Sequence, residues 1–171
     1  MSVSEQPTFA TCDICDAFED DTSGDIRVLP PVFKDFGALK RFCGPVATLR
    51  CLEDNSRVKE AVGEPGGGRV LVVDGAGSRR CALLGDLLAK QAADNGWAGV
   101  IVHGCVRDSA DIAGFDLGVL ALATLPRRSN RQGAGERDVP VEFAGARIRP
   151  GDYLYADEDG VLVAPRALLP G

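Results

Sequence analysis

The sequence predicts an α/β fold in which a mixed central β-sheet is flanked by helices. Three continuous apolar segments, 69–75, 98–104 and 116–124, are separated by segments of helical or turn-like composition. Strands that are apolar on both sides need cover on both faces, and this β-α-β-α-β order is typical of a parallel sheet. After residue 138, strand-like segments alternate with turns, which predicts antiparallel strands that close the fold.

Length and composition are those of an ordinary globular protein. The 171 residues, 45% hydrophobic and 26% charged, favour a single domain over residues 1–171. The net charge of −6 argues against a nucleic-acid partner. No apolar run approaches the roughly 18–20 residues that span a membrane. The first 13 residues lack the basic and apolar regions of a secretory signal, so we expect a cytoplasmic protein.

The first part of the chain predicts two short helices on either side of a strand region. A helix is expected over about 10–19, with Thr11 as its N-cap. The apolar and small residues of 41–52 indicate a strand pair or one bent strand. Asp54 and Asn55 offer an N-cap to a second helix, SRVKEAV, which ends in a glycine-rich loop.

The central strands are separated by a longer helix and a shorter one. Residues 76–86 are expected to lead into a helix that continues to Gly96, a candidate C′ residue. Residues 107–115 suit a short helix or turn. The polar segment 125–138 is predicted to be a loop, and its weak cluster of basic residues, Arg127, Arg128 and Arg131, is expected to be solvated.

The cysteines and the single histidine favour structural roles. Cys12 and Cys15 form one CxxC pair, whereas a zinc site needs a second pair. A structural role on the N-terminal helix is therefore favoured over a metal or redox role. Without a secretory signal, all six cysteines are expected to be reduced thiols. His103 ends an apolar strand, where a packed imidazole is favoured over a chemical role.

Ligands of α/β sheets gather beyond the carboxyl ends of the strands. Two such ends are VVDGAGS at 72–78 and VHGCVRD at 102–108, whose glycines permit close approach of a ligand to the backbone. The residues Gly85, Asp86, Leu87 and Leu88 interrupt the helical pattern. If a helix restarts there, its first N–H groups are unpaired and favour an anion.

Arg107 and Asp108 can complete a site for a small 2-keto acid. The guanidinium can hold a carboxylate through two hydrogen bonds, and the carboxylate of Asp108 can hold a divalent cation such as Mg²⁺. Such a cation polarises the keto oxygen and stabilises an enolate, while Asp86 is a candidate proton carrier through a bound water. Taken alone, an adjacent Arg and Asp indicate only a helix cap with a surface ion pair.

The spacing of these residues resembles a known motif. Gly85-Asp86, then twenty residues, then Arg107-Asp108, with Asp111 shortly after, is similar to the motif of the class II 4-hydroxy-4-methyl-2-oxoglutarate/4-carboxy-4-hydroxy-2-oxoadipate aldolases. Nearly the whole chain resembles the regulator-of-ribonuclease-activity-A (RraA) family. The segments that carry this resemblance are CDICDAF, FKDFG, FCGPVATLRCLEDN, GRVLVVDGAGS, GWAGVIVHGCVRD and PGDYLYADEDGVLV.

The resemblance implies a fold, an assembly and a set of roles. The implied fold is a three-layer sandwich of the swivelling β/β/α type, assembled as a homotrimeric ring or a hexamer, with the substrate near the subunit interface. Residues 85–88 would form the substrate loop, Arg107 would bind substrate, and Asp108 would bind Mg²⁺ or Mn²⁺. The implied reaction is cleavage of 4-hydroxy-4-methyl-2-oxoglutarate and related acids to pyruvate, with oxaloacetate decarboxylation as a side activity.

The resemblance also leaves an alternative without catalysis. Ribonuclease regulators of the family bind an endoribonuclease, RNase E, and lack the acid that follows the arginine, so Asp108 favours an enzyme. Both roles can coexist. The longer aldolases carry a C-terminal extension with an acidic residue for the neighbouring site, and this chain ends soon after its last strand, which favours decarboxylation. Some members carry a methyltransferase label, but no strand-linked GxGxG loop is present for S-adenosylmethionine.

Overall fold

The computed structural model describes residues 8–169. Both ends of the predicted 1–171 domain lie outside that range. So do the first seven residues of the stretch that was considered for a secretory signal. The helices are α1 Thr11–Ala17, α2 Ser56–Val62, α3 Asp86–Asp94 and α4 Ser109–Ile112. The strands are β1 Arg27–Val28, β2 Lys34–Asp35, β3 Phe42–Arg50, β4 Val70–Asp74, β5 Ala82–Leu84, β6 Gly99–Val106, β7 Gly118–Thr124, β8 Glu136–Arg137, β9 Val141–Phe143, β10 Ala146–Ile148, β11 Tyr153–Asp157 and β12 Gly160–Ala164. No helix in the described range is long and apolar enough to cross a membrane.

Ten strands form one curled, mixed sheet. Its main path is β1-β12-β11-β3-β4-β6-β7-β2, with β5 beside β6 and β8 beside β3. The central strands β3, β4, β6 and β7 are parallel. The flanking strands β2, β11 and β12 pair antiparallel with their neighbours, and β9 and β10 form a separate hairpin. This arrangement confirms the predicted parallel centre and the antiparallel closure.

The side chains of β4 show how the layers are arranged. Leu71 and Val73 belong to a core formed with helices α2 and α3. Val70 and Val72 belong to a second core, which contains Phe143 of the β9–β10 hairpin. Successive side chains of a strand point to opposite faces, so the sheet lies between a helical layer and a β layer. The predicted three-layer β/β/α fold is confirmed.

The segment 76–86, which is expected to lead into a helix, forms a strand before that helix begins. After β4 the chain turns and forms the short strand β5, which pairs parallel with β6, and α3 begins only at Asp86. Ala82, Leu83 and Leu84 are buried on this strand. Their helix propensity is outweighed by strand pairing and by burial against the sheet, which are tertiary interactions.

One further prediction, the N-cap of α1, needs correction. Thr11 is the first residue of α1 rather than its N-cap, which is Ala10. Its hydroxyl instead donates to Asp157 Oδ1 at 2.6 Å, and its N–H donates to the other carboxylate oxygen at 2.7 Å. A tertiary partner thus replaces the local cap. Of the two alternatives for region 41–52, the structure shows the single strand, β3.

Candidate active site

The candidate site lies where two parallel strands end. Gly85 joins β5 to α3, and Arg107 and Asp108 follow β6 directly. The two strands run in the same direction, so their carboxyl ends lie at the same edge of the sheet. The Arg107 N–H donates to the carbonyl of Leu84 at 2.9 Å, which fixes the two connections side by side.

Gly85 lies directly against Arg107 and Asp108. A Cβ at this position would lie 2.9 Å from Asp108 Oδ2 and 3.4 Å from Arg107 Nε. The Asp86 N–H donates to the same Asp108 oxygen at 3.1 Å. The structure therefore brings together the start of α3, the guanidinium and the carboxylate, as the sequence predicted. The close approach requires a residue without a side chain.

Asp108 has an unusual backbone conformation. Its φ of 57° and ψ of 41° are left-handed, and it precedes α4 as the N-cap residue. Asp and Asn tolerate this region better than other residues with a side chain. The side chain is exposed, and its Oδ1 accepts no hydrogen bond from the residues that the structure describes. One carboxylate oxygen thus remains available to a ligand.

Arg107 is half-buried and has no carboxylate partner. Its Nη1 donates only to the Pro126 carbonyl, at 3.4 Å. Within residues 8–169 it forms no salt bridge, either with Asp108 or with another acid. The simple surface ion pair considered from the sequence is therefore not formed. A guanidinium without a carboxylate partner, at the edge of the sheet where strands end, can bind an anion.

The first turn of α3 adds a second carboxylate, that of Asp86. The helix begins at Asp86 with Gly85 as its N-cap, and its first N–H already donates to Asp108 Oδ2. The Asp86 Oδ1 accepts the N–H of Leu87 at 2.8 Å. The Leu87 side chain is 80% exposed, whereas Leu88 packs against the helical core. Residues 85–88 therefore form an accessible loop-to-helix junction, as the sequence predicted.

The residues present fit a loosely held hard cation rather than a closed metal cage. Among residues 8–169 no group of three or more His, Cys, Asp or Glu side chains is placed to bind a metal. Mg²⁺ commonly binds one or two carboxylates and keeps several waters. The free oxygen of Asp108 suits that mode, with substrate oxygens and water completing the coordination.

His103 is packed, in agreement with the favoured interpretation. Its ring stacks on Phe143 at a centroid distance of 4.7 Å. Nδ1 is buried without a hydrogen-bond partner in the described part of the chain. Burial lowers the pKa of His103; nearby Asp74 opposes this shift and Arg79 adds to it. Gly77, in the loop after β4, lies next to the ring, because a Cβ at this position would be 3.3 Å from His103 Cε1.

The cysteines are free thiols, as predicted. Cys12 and Cys15 lie on α1, where the Cys12 thiol donates to Asp159. Burial, together with nearby acidic groups, raises the pKa of Cys51 to about 12. A thiol with so high a pKa is a poor nucleophile at neutral pH.

Sequence reasoning missed the contribution of the segment after β7. Its Pro126 carbonyl accepts a hydrogen bond from Arg107 Nη1, and the Ala82 N–H donates to the Arg127 carbonyl at 2.7 Å. No residue spacing indicates either contact, because both depend on the non-local pairing of β5.

Comparison with known proteins identifies the family. The RraA-like model, described as Aldolase/RraA, matches residues 11–163. The chain belongs to the RraA-like family. Relatives of this RraA-like protein include those of Burkholderia mallei SAVP1 and Burkholderia pseudomallei K96243, which are provisionally named 4-hydroxy-4-methyl-2-oxoglutarate aldolases. Each is 59% identical over 162 residues, covering 94% of this chain and 98% of the relative.

Solved RraA-like structures confirm the fold and carry different names. One is called an S-adenosylmethionine:2-dimethylmenaquinone methyltransferase, from Geobacillus kaustophilus HTA426. Its TM-score is 0.89 at 48% identity, covering 95% of this chain and 100% of that one. The RNA-processing inhibitor RraA from Thermus thermophilis has a TM-score of 0.89 at 45% identity, covering 96% of each chain. One fold thus carries several assigned roles, so function must be argued from the site.

Proposed function

We propose that this RraA-like protein is a divalent-metal-dependent carbon–carbon lyase. Its substrates are 4-hydroxy-4-methyl-2-oxoglutarate and related 4-hydroxy-2-oxo acids, which it cleaves to pyruvate, with oxaloacetate decarboxylation as a side activity. The observation that carries the proposal is the convergence of the α3 N-terminus, Arg107 and Asp108 at one edge of the sheet. The names of the Burkholderia relatives support the same reaction.

Each residue of the site has its own role in the proposed reaction. Arg107 binds the carboxylate beside the keto carbon, and at the start of α3 the Leu88 N–H, which has no acceptor among the described residues, donates to a substrate oxygen. Asp86 accepts the proton of the 4-hydroxyl group through a water. The bond between C3 and C4 then breaks: C4 becomes the carbonyl carbon of a second keto product, which leaves, and the electron pair of the bond forms the enolate of pyruvate. C3 is then reprotonated from the same water. When bound at Asp108, Mg²⁺ or Mn²⁺ supplies Lewis acidity to the enolate oxygen.

Oxaloacetate gives the same enolate by a shorter route. Its C3–C4 bond breaks with release of CO₂, and no hydroxyl proton has to be removed. Arg107 and Asp108 keep their roles, while Asp86 is needed only to return a proton to C3. An Asp86→Asn variant should therefore lose aldol cleavage more severely than decarboxylation.

A pyruvate-release assay tests the proposed reaction. The substrates are oxaloacetate, 4-hydroxy-4-methyl-2-oxoglutarate and 4-carboxy-4-hydroxy-2-oxoadipate, each assayed with Mg²⁺, with Mn²⁺ and with EDTA. We expect EDTA to abolish turnover and either cation to restore it. Pyruvate release from none of these substrates under any metal condition would contradict the lyase.

Two variants assign the residues. Asp108→Asn keeps a residue that tolerates the left-handed backbone and removes the charge, so metal-dependent turnover should be lost while the fold is kept. Arg107→Ala should lower kcat/KM, since one charge-assisted contact contributes roughly 1.5–3 kcal/mol. The matched control is Asp116→Asn, an exposed carboxylate just before β7, at the opposite edge of the sheet. Full turnover in Asp108→Asn would refute the metal-binding role.

A second function is favoured by the similarity to the Thermus RNA-processing inhibitor. In that role the protein binds an endoribonuclease of the RNase E type and needs no metal. A pull-down with such an enzyme, with Asp108→Asn as the companion variant, separates the two functions. Binding that is unaffected by the substitution, without turnover of any keto acid, would support a regulator.

The assembly belongs to the same proposal: a homotrimer, or a hexamer of two stacked rings, with substrate near a subunit interface. Leu52 is 66% exposed and Leu87 is 80% exposed, and we expect the subunit contact to cover them. Light scattering of the purified protein tests it, and a monomer at micromolar concentration would contradict it.

A further inference from the structure

The CxxC pair of α1 has no role in the proposed reaction. Cys12 and Cys15 lie three residues apart on this helix. Cys12 is exposed and Cys15 is half-buried, whereas Cys51, Cys81 and Cys105 are buried. Because the oxidation of a thiol depends on its exposure, an oxidant in solution reaches the α1 pair more readily than those three cysteines.

In the reduced protein, the first turn of α1 is attached to the β11–β12 turn, which consists of residues 158–159. The Cys12 thiol donates to Asp159 Oδ2 at 3.4 Å. Beside it, the Thr11 N–H and hydroxyl donate to the two oxygens of Asp157, at 2.7 Å and 2.6 Å. Two carboxylates at the end of β11 and in the turn after it thus accept hydrogen bonds from neighbouring residues of α1.

The helix covers an apolar cluster on one face of β11 and β12. Ile14 of α1 is buried in this cluster with Phe9, Tyr155 and Leu162. The rings of Phe9 and Tyr155 meet edge to face, with a centroid distance of 5.2 Å. A helix forms no strand ladder with the sheet, so the position of α1 depends largely on such side-chain contacts and on the two carboxylates.

The spacing of the two cysteines permits a disulfide only if the first turn of α1 tightens. Residues three apart on a helix share a face, and their Cβ atoms lie about 5–6 Å apart. The Cβ atoms of a disulfide lie about 3.5–4.5 Å apart. Bond formation therefore draws Cys12 and Cys15 together by about 1–2 Å. It also removes the thiol hydrogen that Asp159 accepts.

Acidic groups keep the Cys12 thiol protonated in the reduced protein. The hydrogen bond to Asp159 and the charge of that carboxylate raise the pKa of Cys12, and the charges of Asp157 and Asp16 raise it further. The thiolate is the reactive form of cysteine. The pair is therefore expected to react slowly and to stay reduced until an oxidant accumulates.

We propose that Cys12 and Cys15 form a disulfide under oxidising conditions, and that this modification loosens α1 from the β11–β12 turn. The oxidant is a small-molecule disulfide such as oxidised glutathione. Neither cysteine belongs to the candidate active site, so the modification is independent of the proposed lyase.

The exchange takes place in two steps. The Cys12 thiolate attacks one sulfur of the oxidant and displaces a thiolate, which leaves a mixed disulfide on Cys12. The Cys15 thiolate then attacks the Cys12 sulfur, the internal bond forms, and the second thiolate leaves. Two protein thiols are oxidised and one small-molecule disulfide is reduced to two thiols. The protons of the cysteines pass through solvent to the leaving thiolates.

Mass spectrometry tests the formation of the bond. The protein is incubated in mixtures of oxidised and reduced glutathione, and its free thiols are then alkylated under denaturing conditions. In the most oxidising mixtures we expect a peptide that contains Cys12 and Cys15 and has lost two hydrogens, while the buried cysteines are alkylated. Alkylation of both α1 cysteines in every mixture, or glutathione retained on Cys12, would overturn the disulfide.

Hydrogen exchange of backbone amides tests the loosening of α1. In the oxidised protein, exchange across residues 11–17 should be about two- to tenfold faster, which corresponds to the loss of one hydrogen bond. Exchange in the buried strand β4 should be unchanged and serves as the internal control. Unchanged exchange in α1 despite a complete disulfide would overturn the loosening.

Two variants separate the disulfide from the hydrogen bond that it removes. Cys12→Ser keeps a hydroxyl donor for Asp159 and cannot form the disulfide, so oxidation should not accelerate exchange in α1. Asp159→Ala removes the acceptor, so it should accelerate exchange in α1 by a similar factor without any oxidant. If oxidation loosens α1 equally in Cys12→Ser, or if Asp159→Ala leaves exchange in α1 unchanged, the proposed attachment through Cys12 is wrong.

Discussion

Gly85 determines how closely Asp108 and the α3 N-terminus can approach. Its φ of −124° and ψ of −168° are accessible to any residue, so the backbone does not require glycine here. The requirement is steric, because a methyl group would lie 2.9 Å from Asp108 Oδ2. The site therefore depends on the absence of one side chain as much as on the presence of the charged ones.

Gly85→Ala should reduce catalysis with little effect on stability. Displacing Asp108 or Arg107 by a fraction of an ångström should lower kcat/KM by about 10- to 100-fold, because misplacement of reacting groups is costly. Pyruvate release and thermal unfolding measure the two effects separately. Gly114→Ala is the matched control, since its added methyl group would meet only the Asp111 carbonyl, at 3.5 Å. Equal activity of the two variants would contradict the steric role.

His103 should make stability depend on pH. Its ordinary pKa is 6.5, and burial lowers the pKa in the folded state. Above 6.5 the imidazole is neutral in both the folded and the unfolded chain and contributes no pH dependence. As the pH falls through 6.5, the unfolded chain binds the proton first, so the free energy of unfolding decreases until the folded-state pKa is passed.

Chemical denaturation at a series of pH values tests this sign. His103→Phe keeps an aromatic ring against Phe143 and removes the titrating group. The chain has one histidine, so the difference in pH slope between the two proteins near 6.5 belongs to His103. Identical slopes would show that His103 is equally easy to protonate in both states.

The loop 125–138 is held by a carboxylate in the connection between β3 and α2. Asp54 is buried and accepts hydrogen bonds from Ser56, Gln132 and Ala134. Burial by itself raises the pKa of Asp54, but these hydrogen bonds outweigh it and lower the pKa below its usual value. A loop that composition predicts to be a solvated connection is thus tied to the body of the protein.

Asp54→Ala should loosen this loop and destabilise the fold. It removes the acceptor of several part-buried donors, and hydrogen bonds to a charged group contribute about 1.5–3 kcal/mol each to stability. Urea denaturation measures the loss, and limited proteolysis locates it at 125–138. Asp20→Ala, which removes an exposed carboxylate, should be neutral. Equal stability of the two variants would show that Asp54 does not anchor the loop.

The segments that sequence reasoning located share a strong local pattern. β4, β6 and β7 are apolar runs, and the Arg-Asp pair at 107–108 follows β6, whereas Gly85 follows the short strand β5. The sequence does not predict β5, because Ala-Leu-Leu is a good helix former and only its pairing with β6 makes it a strand. The strands β1, β2 and β8 have two residues each, which is too short to show the alternation of apolar and polar residues that indicates a strand.

The sheet as a whole is joined by partners far apart in the chain. β1 pairs with β12, and Arg27 Nη1 donates to Asp152 Oδ2 at 3.0 Å. β11 pairs with β3, which links the C-terminal hairpin to the parallel centre. No local pattern specifies such pairings, and for this reason the antiparallel closure could be predicted as a class but not as a topology.

Arg27→Ala should weaken this closure. The ion pair is largely buried, with the two side chains only 17% and 8% exposed. Removing the guanidinium leaves a buried carboxylate short of a donor, so we expect a loss of about 1.5–3 kcal/mol in the free energy of unfolding. Arg166→Ala, which removes an exposed cation, serves as the control. Denaturant unfolding of both variants measures the difference, and equal midpoints would contradict the expected role.

The pairing of β1 with β12 has a consequence for synthesis on the ribosome. Arg27 and Val28 emerge early, but their partners Val163 and Leu162 are translated more than a hundred residues later. Until then the nascent chain holds an unfinished sheet with an open edge, and unpaired edges invite association with other chains. Translation speed and chaperone access should therefore govern the yield of this protein more than the stability of its finished fold.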